Sequence, residues 1–384
     1  MTSVGHALCH GTKVALPVMT LTRAADELNG SLEFMGACVT VFAWCMAASS
    51  VPAGLLADRI GTSRTLAIYF LFAGVGAALC AWAPDAWSFL FAYGVLGLSA
   101  GVFHPAGLGL LSLSVPGAEL GRAMGTFGVV GSVGMAATPL IMSAEFGWRY
   151  GFGLMAALGI AGALATVWMI RAGLLLPGVP PPEGAVKAHT PARRRVLLIL
   201  LVAMGGQAFL LEGFMPLYPL TLDAGPQLFV KASTMSAAIL LLGALGQWVG
   251  GRLSREHFLA ERYALLMLFL PLVLFGLSTS LAEPAWPFML MGSFAFLAFI
   301  LQPIENRLLA TYTSKARRSS AYALKFVVAL AISAPGAMVV TQLLGDGWGF
   351  ASVWRVFALV GIVPVMLAVW FLRAQQAAVR ARVG

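Results

Sequence analysis

Long apolar runs recur along the whole chain and define its organisation. Hydropathy places twelve of them near residues 3–25, 31–56, 63–83, 87–111, 120–143, 148–172, 196–222, 229–252, 262–282, 285–312, 319–345 and 350–373. A helix of about 20 residues crosses a hydrocarbon core of about 30 Å, because it rises 1.5 Å per residue. The pattern therefore predicts an all-α membrane protein with twelve transmembrane helices.

One connection between the runs is much longer than the others. Residues 173–195 are rich in proline, which a helix interior does not tolerate, and they end in three arginines. We interpret this segment as a linker. It separates an N-terminal six-helix bundle, residues 1–172, from a C-terminal six-helix bundle, residues 196–384.

The two halves align with each other. A shift of 198 positions places Pro105 on Pro303 without a gap, and a shift of 199 places Lys13 on Glu212. Both matches occur at nearly the same offset. This offset fits a six-plus-six duplication, so we expect two pseudo-symmetric bundles.

Basic residues are concentrated on one side of the predicted membrane. Only 10% of the residues are charged, and 60% are hydrophobic. With the N-terminus in the cytoplasm, cytoplasmic segments hold 17 of the 24 Lys and Arg residues, outer segments hold four, and three lie inside spans. By the positive-inside rule this predicts a multi-pass inner-membrane protein with both termini cytoplasmic. It also accounts for the net charge of +9 without a nucleic-acid partner.

Motifs for catalysis or for cofactor binding are not visible in the chain. We find no Walker motif, zinc signature or nucleophile elbow, so we expect neither an enzyme nor an ATP-driven pump, and no cofactor or resident metal. The cysteines form no CxxC pair, and we interpret them as small apolar residues within the spans. They are Cys9, Cys38, Cys45 and Cys80.

Ionisable residues inside the predicted spans cluster in spans 1, 4, 7 and 10. A charge at the bilayer centre costs about 2.5–3.5 kcal/mol on insertion scales, so such groups tend to face a wet cavity or one another. Lys325 in span 11 is the exception, and we leave it out of the predicted site. The predicted site for substrate and protons comprises His10, Lys13, His104, Glu212, Glu305 and Arg307.

Each of these residues has a structural interpretation beside the functional one. His6, His10 and Lys13 share one helix face, and His6 lies close enough to the membrane surface to extend its side chain towards water. His104, next to Pro105, either carries a proton or is a neutral imidazole bonded to a carbonyl.

Two further alternatives concern the carboxylates. Glu212 either loads and releases a proton or pairs with Lys13, and the two roles are compatible. Arg307 either clamps an anionic substrate or pairs with Glu305 in the same helical turn.

Span 5 carries a glycine at every third position. These residues are Gly125, Gly128, Gly131 and Gly134. Small residues allow helices to approach closely in membranes, so we interpret this row as a packing surface.

The loop between spans 2 and 3 reads GLLADRIGTSR. It resembles the motif that the major facilitator superfamily carries in the same loop. The matching residues are Gly54, Asp58, Arg59, Gly61 and Arg64. The resemblance implies two pseudo-symmetric bundles, a cavity lined by spans 1, 4, 7 and 10, and secondary transport by alternating access, with this loop acting as a conformational gate. It also implies a monomer that handles a small-molecule substrate within the lipid bilayer.

Span 4 is similar to a signature of one branch of that superfamily. GLSAGVFHPAG, residues 97–107, and the opening GHALCHGTKVALPVM resemble the fosmidomycin-resistance-like efflux branch. This resemblance implies proton-coupled efflux of a small organic compound. The chain departs from the usual antiporter patterns at two positions. It has Tyr93 where an arginine is common in span 4, and Thr138 where a glycine usually precedes Pro139 in span 5.

Two alternative functions remain open at this stage. His6, Cys9, His10 and the 17 methionines are soft ligands that would suit uptake of a transition metal such as copper. The same fold could also serve as a transport-inactive sensor or assembly protein. A solute-flux assay in proteoliposomes separates this last class from both kinds of transporter.

The charge asymmetry predicts the topology. Single cysteines introduced into the 173–195 linker and at the C-terminus of a cysteine-free variant should react with an impermeant maleimide only after the cells are opened. A linker that is labelled in intact cells would contradict the assignment of sides.

Overall fold

A computed structural model of the chain describes residues 1–19, 24–116, 119–143, 146–175, 191–225, 231–254, 258–283, 285–313 and 318–383. Every regular element in these ranges is an α-helix, as the hydropathy pattern predicts. In chain order they are α1 (Thr2–Met19), α2 (Ala24–Glu27), α3 (Leu32–Ile60), α4 (Thr62–Trp82), α5 (Ala86–Ser114), α6 (Leu120–Ile141), α7 (Trp148–Arg171), α8 (Pro191–Ala224), α9 (Ala232–Leu253), α10 (Leu259–Thr279), α11 (Ala285–Tyr312), α12 (Arg318–Ser333), α13 (Pro335–Gly345), α14 (Phe350–Val360) and α15 (Ile362–Val383).

These helices account for the predicted spans. Within the described ranges, eleven segments are long and apolar enough to cross a membrane; α12 with α13 forms one of them, and α14 with α15 another. The polar helix α1, which is 18 residues long and carries His6, His10 and Lys13, supplies the twelfth. The chain is therefore a multi-pass membrane protein.

Several predicted boundaries differ from the observed ones. The last five residues of the 173–195 linker belong to α8, because a proline such as Pro191 is accepted in the first turn of a helix. Residues 176–190 of the linker lie outside the described ranges. The predicted span 11 is divided at Pro335, which has no N–H to continue the hydrogen bonds of α12.

Equivalent helices pack alike in the two halves. In the N-terminal half α5 packs on α3 and α4, and α4 packs on α7. In the C-terminal half α11 packs on α9 and α10, and α10 packs on α14. Pro105 lies inside α5 and Pro303 inside α11, the equivalent helices. The repeated packing supports the duplication inferred from the sequence.

The main contacts between the halves are made by two pairs of spans. At one pair, α6 lies against α9, where a Cβ at Gly125 would come within 2.7 Å of the Cα of Gly251. At the other pair, α3 packs on α12 and α13, and the Thr40 hydroxyl donates a hydrogen bond of 3.2 Å to the carbonyl of Ala334. The first contact lies near the N-terminus of α6 and the second in the N-terminal part of α3, so the halves touch towards both membrane surfaces under the predicted topology.

The glycines of span 5 serve the close packing that the sequence predicts. Gly125 and Gly128 face α9, and a Cβ at Gly128 would lie 2.6 Å from the amide carbon of Gln247. Further along α6, a Cβ at Gly131 would lie 2.6 Å from Nδ1 of His6, and one at Gly134 would meet the backbone of Ala7. One row of glycines thus brings α6 close both to the other half and to α1.

The contact between Gly125 and Gly251 predicts a strong effect of adding a side chain. Gly125→Val should lower the free energy of unfolding by about 1–3 kcal/mol, because both partners are backbone and cannot rotate away. Gly153→Val is the matched control, since a Cβ at Gly153 meets nothing within 4 Å. Thermal unfolding in detergent measures both changes. Equal melting temperatures for the two variants would show that α6 and α9 do not pack this closely.

Candidate functional site

A cavity of about 110 Å³, lined by both polar and apolar side chains, lies between the two halves. It is lined by helices from both, namely α1, α3, α5 and α6 on one side and α8, α9, α11 and α12 on the other. Its polar lining consists of His6, His10, Lys13, His104, Gln207, Glu212, Gln247, Gln302, Glu305, Asn306 and Lys325. Five of the six predicted site residues are in this set.

An ion pair joins the halves inside the cavity. The ammonium group of Lys13 on α1 contacts the carboxylate of Glu212 on α8. The Glu212 side chain is 4% exposed and that of Lys13 is 20% exposed, so the pair is buried on the side of the acid and open to the cavity on the side of the base. Each group lowers the cost of burying the other, because a lone charge in a low-dielectric interior is strongly destabilising.

The backbone around Lys13 is held by two residues from neighbouring helices. The Tyr93 hydroxyl lies 2.9 Å from the carbonyl oxygen of Thr12 and 3.0 Å from that of Lys13. The Thr138 hydroxyl lies 3.3 Å from the carbonyl oxygen of Gly11. Tyr93 and Thr138 are the two positions at which the sequence departs from the usual antiporter patterns. Both instead fix the part of α1 that presents Lys13.

A second ion pair corrects the sequence prediction. Lys325, which the prediction left out, lines the cavity and lies 3.0 Å from Glu305, while also donating a 2.8 Å hydrogen bond to Asn306. Arg307, which the prediction included, is half-buried on α11 and is not among the residues that line the cavity. The partner of Glu305 is therefore Lys325 from α12 and not Arg307 in its own turn.

Neutral amides complete the polar lining. The Gln247 side chain of α9 donates a 2.6 Å hydrogen bond to the side-chain oxygen of Gln302 on α11. Gln207 donates to the carbonyl of Ala298 at 3.2 Å. These residues are not predicted from the sequence, because a single amide in an apolar span carries no charge that marks it. Their positions in spans 7, 8 and 10 are the only sequence signal.

Three histidines converge at one side of the cavity. The ring centroids of His6 and His10 are 4.4 Å apart, and that of His104 lies 5.9 Å and 5.3 Å from them. The interpretation of His6 as a side chain that extends to the surface is wrong, since it is buried and its Nδ1 lies 2.7 Å from the carbonyl oxygen of Phe127. His104 is not bonded to a carbonyl through Nδ1, which is buried with no hydrogen-bond partner among the described residues.

The predicted gate lies away from the cavity. Gly54 and Gly61 are buried, Asp58 is half-buried, and Arg59 and Arg64 are exposed, and none of the five lines the cavity. Gly61 connects α3 to α4 with a backbone φ of 93°, which favours glycine. The local conformation thus explains one residue of the motif, and the gating role stays a prediction.

Comparison with known proteins identifies the family. The family model described as Major Facilitator Superfamily matches residues 6–270 of the chain. The chain belongs to the major facilitator superfamily. Its members carry solutes across membranes and are not enzymes, so the chain is a transporter of small solutes.

Relatives in the superfamily carry different transport names. The chain is 26% identical over 286 residues to a probable sugar efflux transporter of Mannheimia succiniciproducens, covering 71% of this chain and 69% of that protein. It is 32% identical over 166 residues to the probable anion transporter 3 of Arabidopsis thaliana chloroplasts, covering 42% and 32% of the two chains. It is 26% identical over 259 residues to a probable L-galactonate transporter of Escherichia coli, covering 62% and 56%.

A solved structure of the superfamily has the same fold. The crystal structure of the human organic anion transporter MFSD10 superposes with a TM-score of 0.73, covering 96% of this chain and 97% of that one. The sequences are 14% identical, so the likeness concerns the fold.

The Lys13–Glu212 pair predicts a measurable coupling energy. Glu212→Gln alone should destabilise the protein by up to about 3–5 kcal/mol, less where cavity water reaches Lys13, because it leaves a buried charge without a partner. Adding Lys13→Met should restore part of that loss. A double-mutant cycle on thermal stability measures the interaction.

The control is a matched cycle on Glu27 and Arg149. These two groups lie 3.8 Å apart and are 53% and 42% exposed, so their coupling should be close to zero. Equal coupling energies in the two cycles would show that the pair in the cavity contributes no more than an exposed one.

Proposed function

We propose that this facilitator exports a small polar organic compound in exchange for protons, by alternating access of two six-helix halves. The observation that carries the proposal is the Lys13–Glu212 ion pair, which joins the halves within the cavity itself. An ion pair in the cavity is accessible to both the proton and the substrate. When it breaks or forms, the contact between the two halves changes.

The proton enters this scheme at Glu212. Protonation removes the negative charge, so the attraction to Lys13 is lost and the two halves are released from each other at the cavity. Deprotonation restores the attraction. His104 and Glu305 line the same cavity and are the next candidates for the proton site.

The polar lining indicates the kind of solute. Gln207, Gln247, Gln302 and Asn306 offer both amide donors and carbonyl acceptors, the groups that bind hydroxyls. Lys13 and Lys325 can exchange their glutamate partners for a carboxylate of the solute. A hydroxylated compound, with or without a carboxylate, fits both features, and the names of the sugar efflux and L-galactonate relatives support this class.

The proposed branch of the superfamily and the proposed membrane location rest on features of the sequence. Residues 97–107 support membership of the fosmidomycin-resistance-like branch. The distribution of basic residues supports an inner-membrane location with cytoplasmic termini. We also propose that the chain works as a monomer, with Asp58 and Arg59 acting as a gate between α3 and α4.

Counterflow in proteoliposomes tests the proposed exchange. With an internal pH dye, adding sugars and sugar acids one at a time should reveal a solute whose movement is accompanied by proton movement in the opposite direction. Glu212→Gln should abolish the proton signal, while Glu119→Gln, an exposed carboxylate outside the cavity, should leave it unchanged. Proton-coupled flux that survives intact in Glu212→Gln would move the proton site to another residue.

A further inference from the structure

The three histidines of the cavity lie close enough to share one ligand. Each of His6, His10 and His104 offers a ring nitrogen, and these three nitrogens all lie within 4.8 Å of one another. Nitrogen–metal bonds of about 2.0–2.1 Å place two imidazole nitrogens about 3.3 Å apart around a tetrahedral cation. The cluster reaches that spacing if each ring moves by about 1 Å or less.

Two of the imidazoles are held in place by neighbouring side chains, and one of them, His6, also has the hydrogen bond that is usual for a metal ligand. Nδ1 of His6 donates to the carbonyl oxygen of Phe127 at 2.7 Å, which leaves Nε2 with its lone pair free. The His6 ring stacks on Phe127 at 3.9 Å, and the His104 ring stacks on Phe326 at 4.1 Å. These contacts fix the ring planes before any ligand arrives.

An unsatisfied atom points to a missing partner. Nδ1 of His104 is buried without a hydrogen-bond partner among the described residues, and leaving a buried polar atom unpaired costs about 1–3 kcal/mol. The thiol of Cys9 lies 3.8 Å from Nε2 of the same ring. A cation bound through Nδ1 would satisfy the unpaired atom, and a soft or borderline cation bound through Nε2 would find the Cys9 sulfur atom close by.

We propose that His6, His10 and His104 form a binding site for a transition-metal cation inside the transport cavity, with Cys9 beside a fourth coordination position. The cation is cargo, because the site lies in the cavity between the two halves. The charged groups that line the cavity are paired as Lys13 with Glu212 and Lys325 with Glu305, so they add no net charge. Three neutral imidazoles leave the charge of the cation uncompensated, and a carboxylate bound at the fourth position would reduce it. The cargo is therefore either the bare cation or its complex with an organic carboxylate.

Binding is tested with Co²⁺ and Zn²⁺ on the full chain in lipid nanodiscs, purified through a tag that contains no histidine. Wild type should bind one Co²⁺ per chain with the visible absorption of a tetrahedral site, and Zn²⁺ should displace it. His10→Asn should weaken Co²⁺ binding at least about tenfold, since even outer partners of metal ligands contribute about 10–100-fold. His10→Cys, which keeps a ligand atom, should retain binding with a shifted spectrum.

The controls separate loss of a ligand from loss of the fold. Ala208→Ser changes the cavity lining without removing a histidine and should bind Co²⁺ as wild type does. Each variant is compared with wild type by its metal-free melting temperature. Cys9→Ser should change the spectrum, whereas Cys38→Ser, another buried cysteine, should not. Wild type without stoichiometric binding, or a variant lacking all three histidines that binds as tightly, would overturn the site.

Flux of radioactive Zn²⁺ into proteoliposomes, measured with and without citrate, distinguishes transport of the bare cation from transport of its carboxylate complex. Flux only with citrate identifies the carboxylate complex, and flux without it identifies the bare cation. Binding without flux in either arm would overturn the role as cargo. The binding assay needs no proton gradient, and the proton-exchange assay described for the proposed function contains no metal. A negative result for the metal site therefore leaves the proposed proton exchange standing, and the reverse also holds.

Discussion

Burying charge within a lipid-spanning bundle is the constraint on which this structure depends. Lys13 and Glu212 lie on helices of different halves, and each is tolerated because it meets the other. The contact requires α1 and α8 to approach at one depth. Tyr93 and Thr138 hold the backbone of α1 at that depth through its carbonyl groups. Two helices of the N-terminal half thus position the part of α1 whose Lys13 side chain faces the other half.

Much of the fold could be predicted from the sequence, because the bilayer imposes the length and apolar character of each span. The duplication is visible in the sequence as well, since Pro105 and Pro303 lie inside equivalent helices. Helix ends were less predictable where a residue permits two conformations. By composition Pro191 belongs to the proline-rich linker, yet proline is also a favourable first residue of a helix, and α8 begins there.

The candidate site was predictable where charge alone marks a residue, and unpredictable where tertiary packing chooses the partner. Lys325 lies in span 11, outside the four spans predicted to line the cavity, although α12 turns it towards Glu305. Arg307 was included for its charge, although it does not line the cavity. By sequence, His6 lies near the start of span 1 and therefore close to the predicted membrane surface. It is buried because Gly131 has no side chain and lets α6 lie against it, a contact that no pattern within α1 reveals.

The pairing of the cavity charges has a consequence for the electrical behaviour of the transport cycle. Moving one elementary charge through a membrane potential of 100 mV changes the free energy by about 2.3 kcal/mol. Because Lys13, Glu212, Lys325 and Glu305 sum to zero, the empty cavity carries no charge from these groups across the field when the halves rock. The reorientation of the empty protein is then insensitive to voltage at this site. The membrane potential instead acts on the loaded protein, through the charge of the solute and of any proton bound in place of an ion pair.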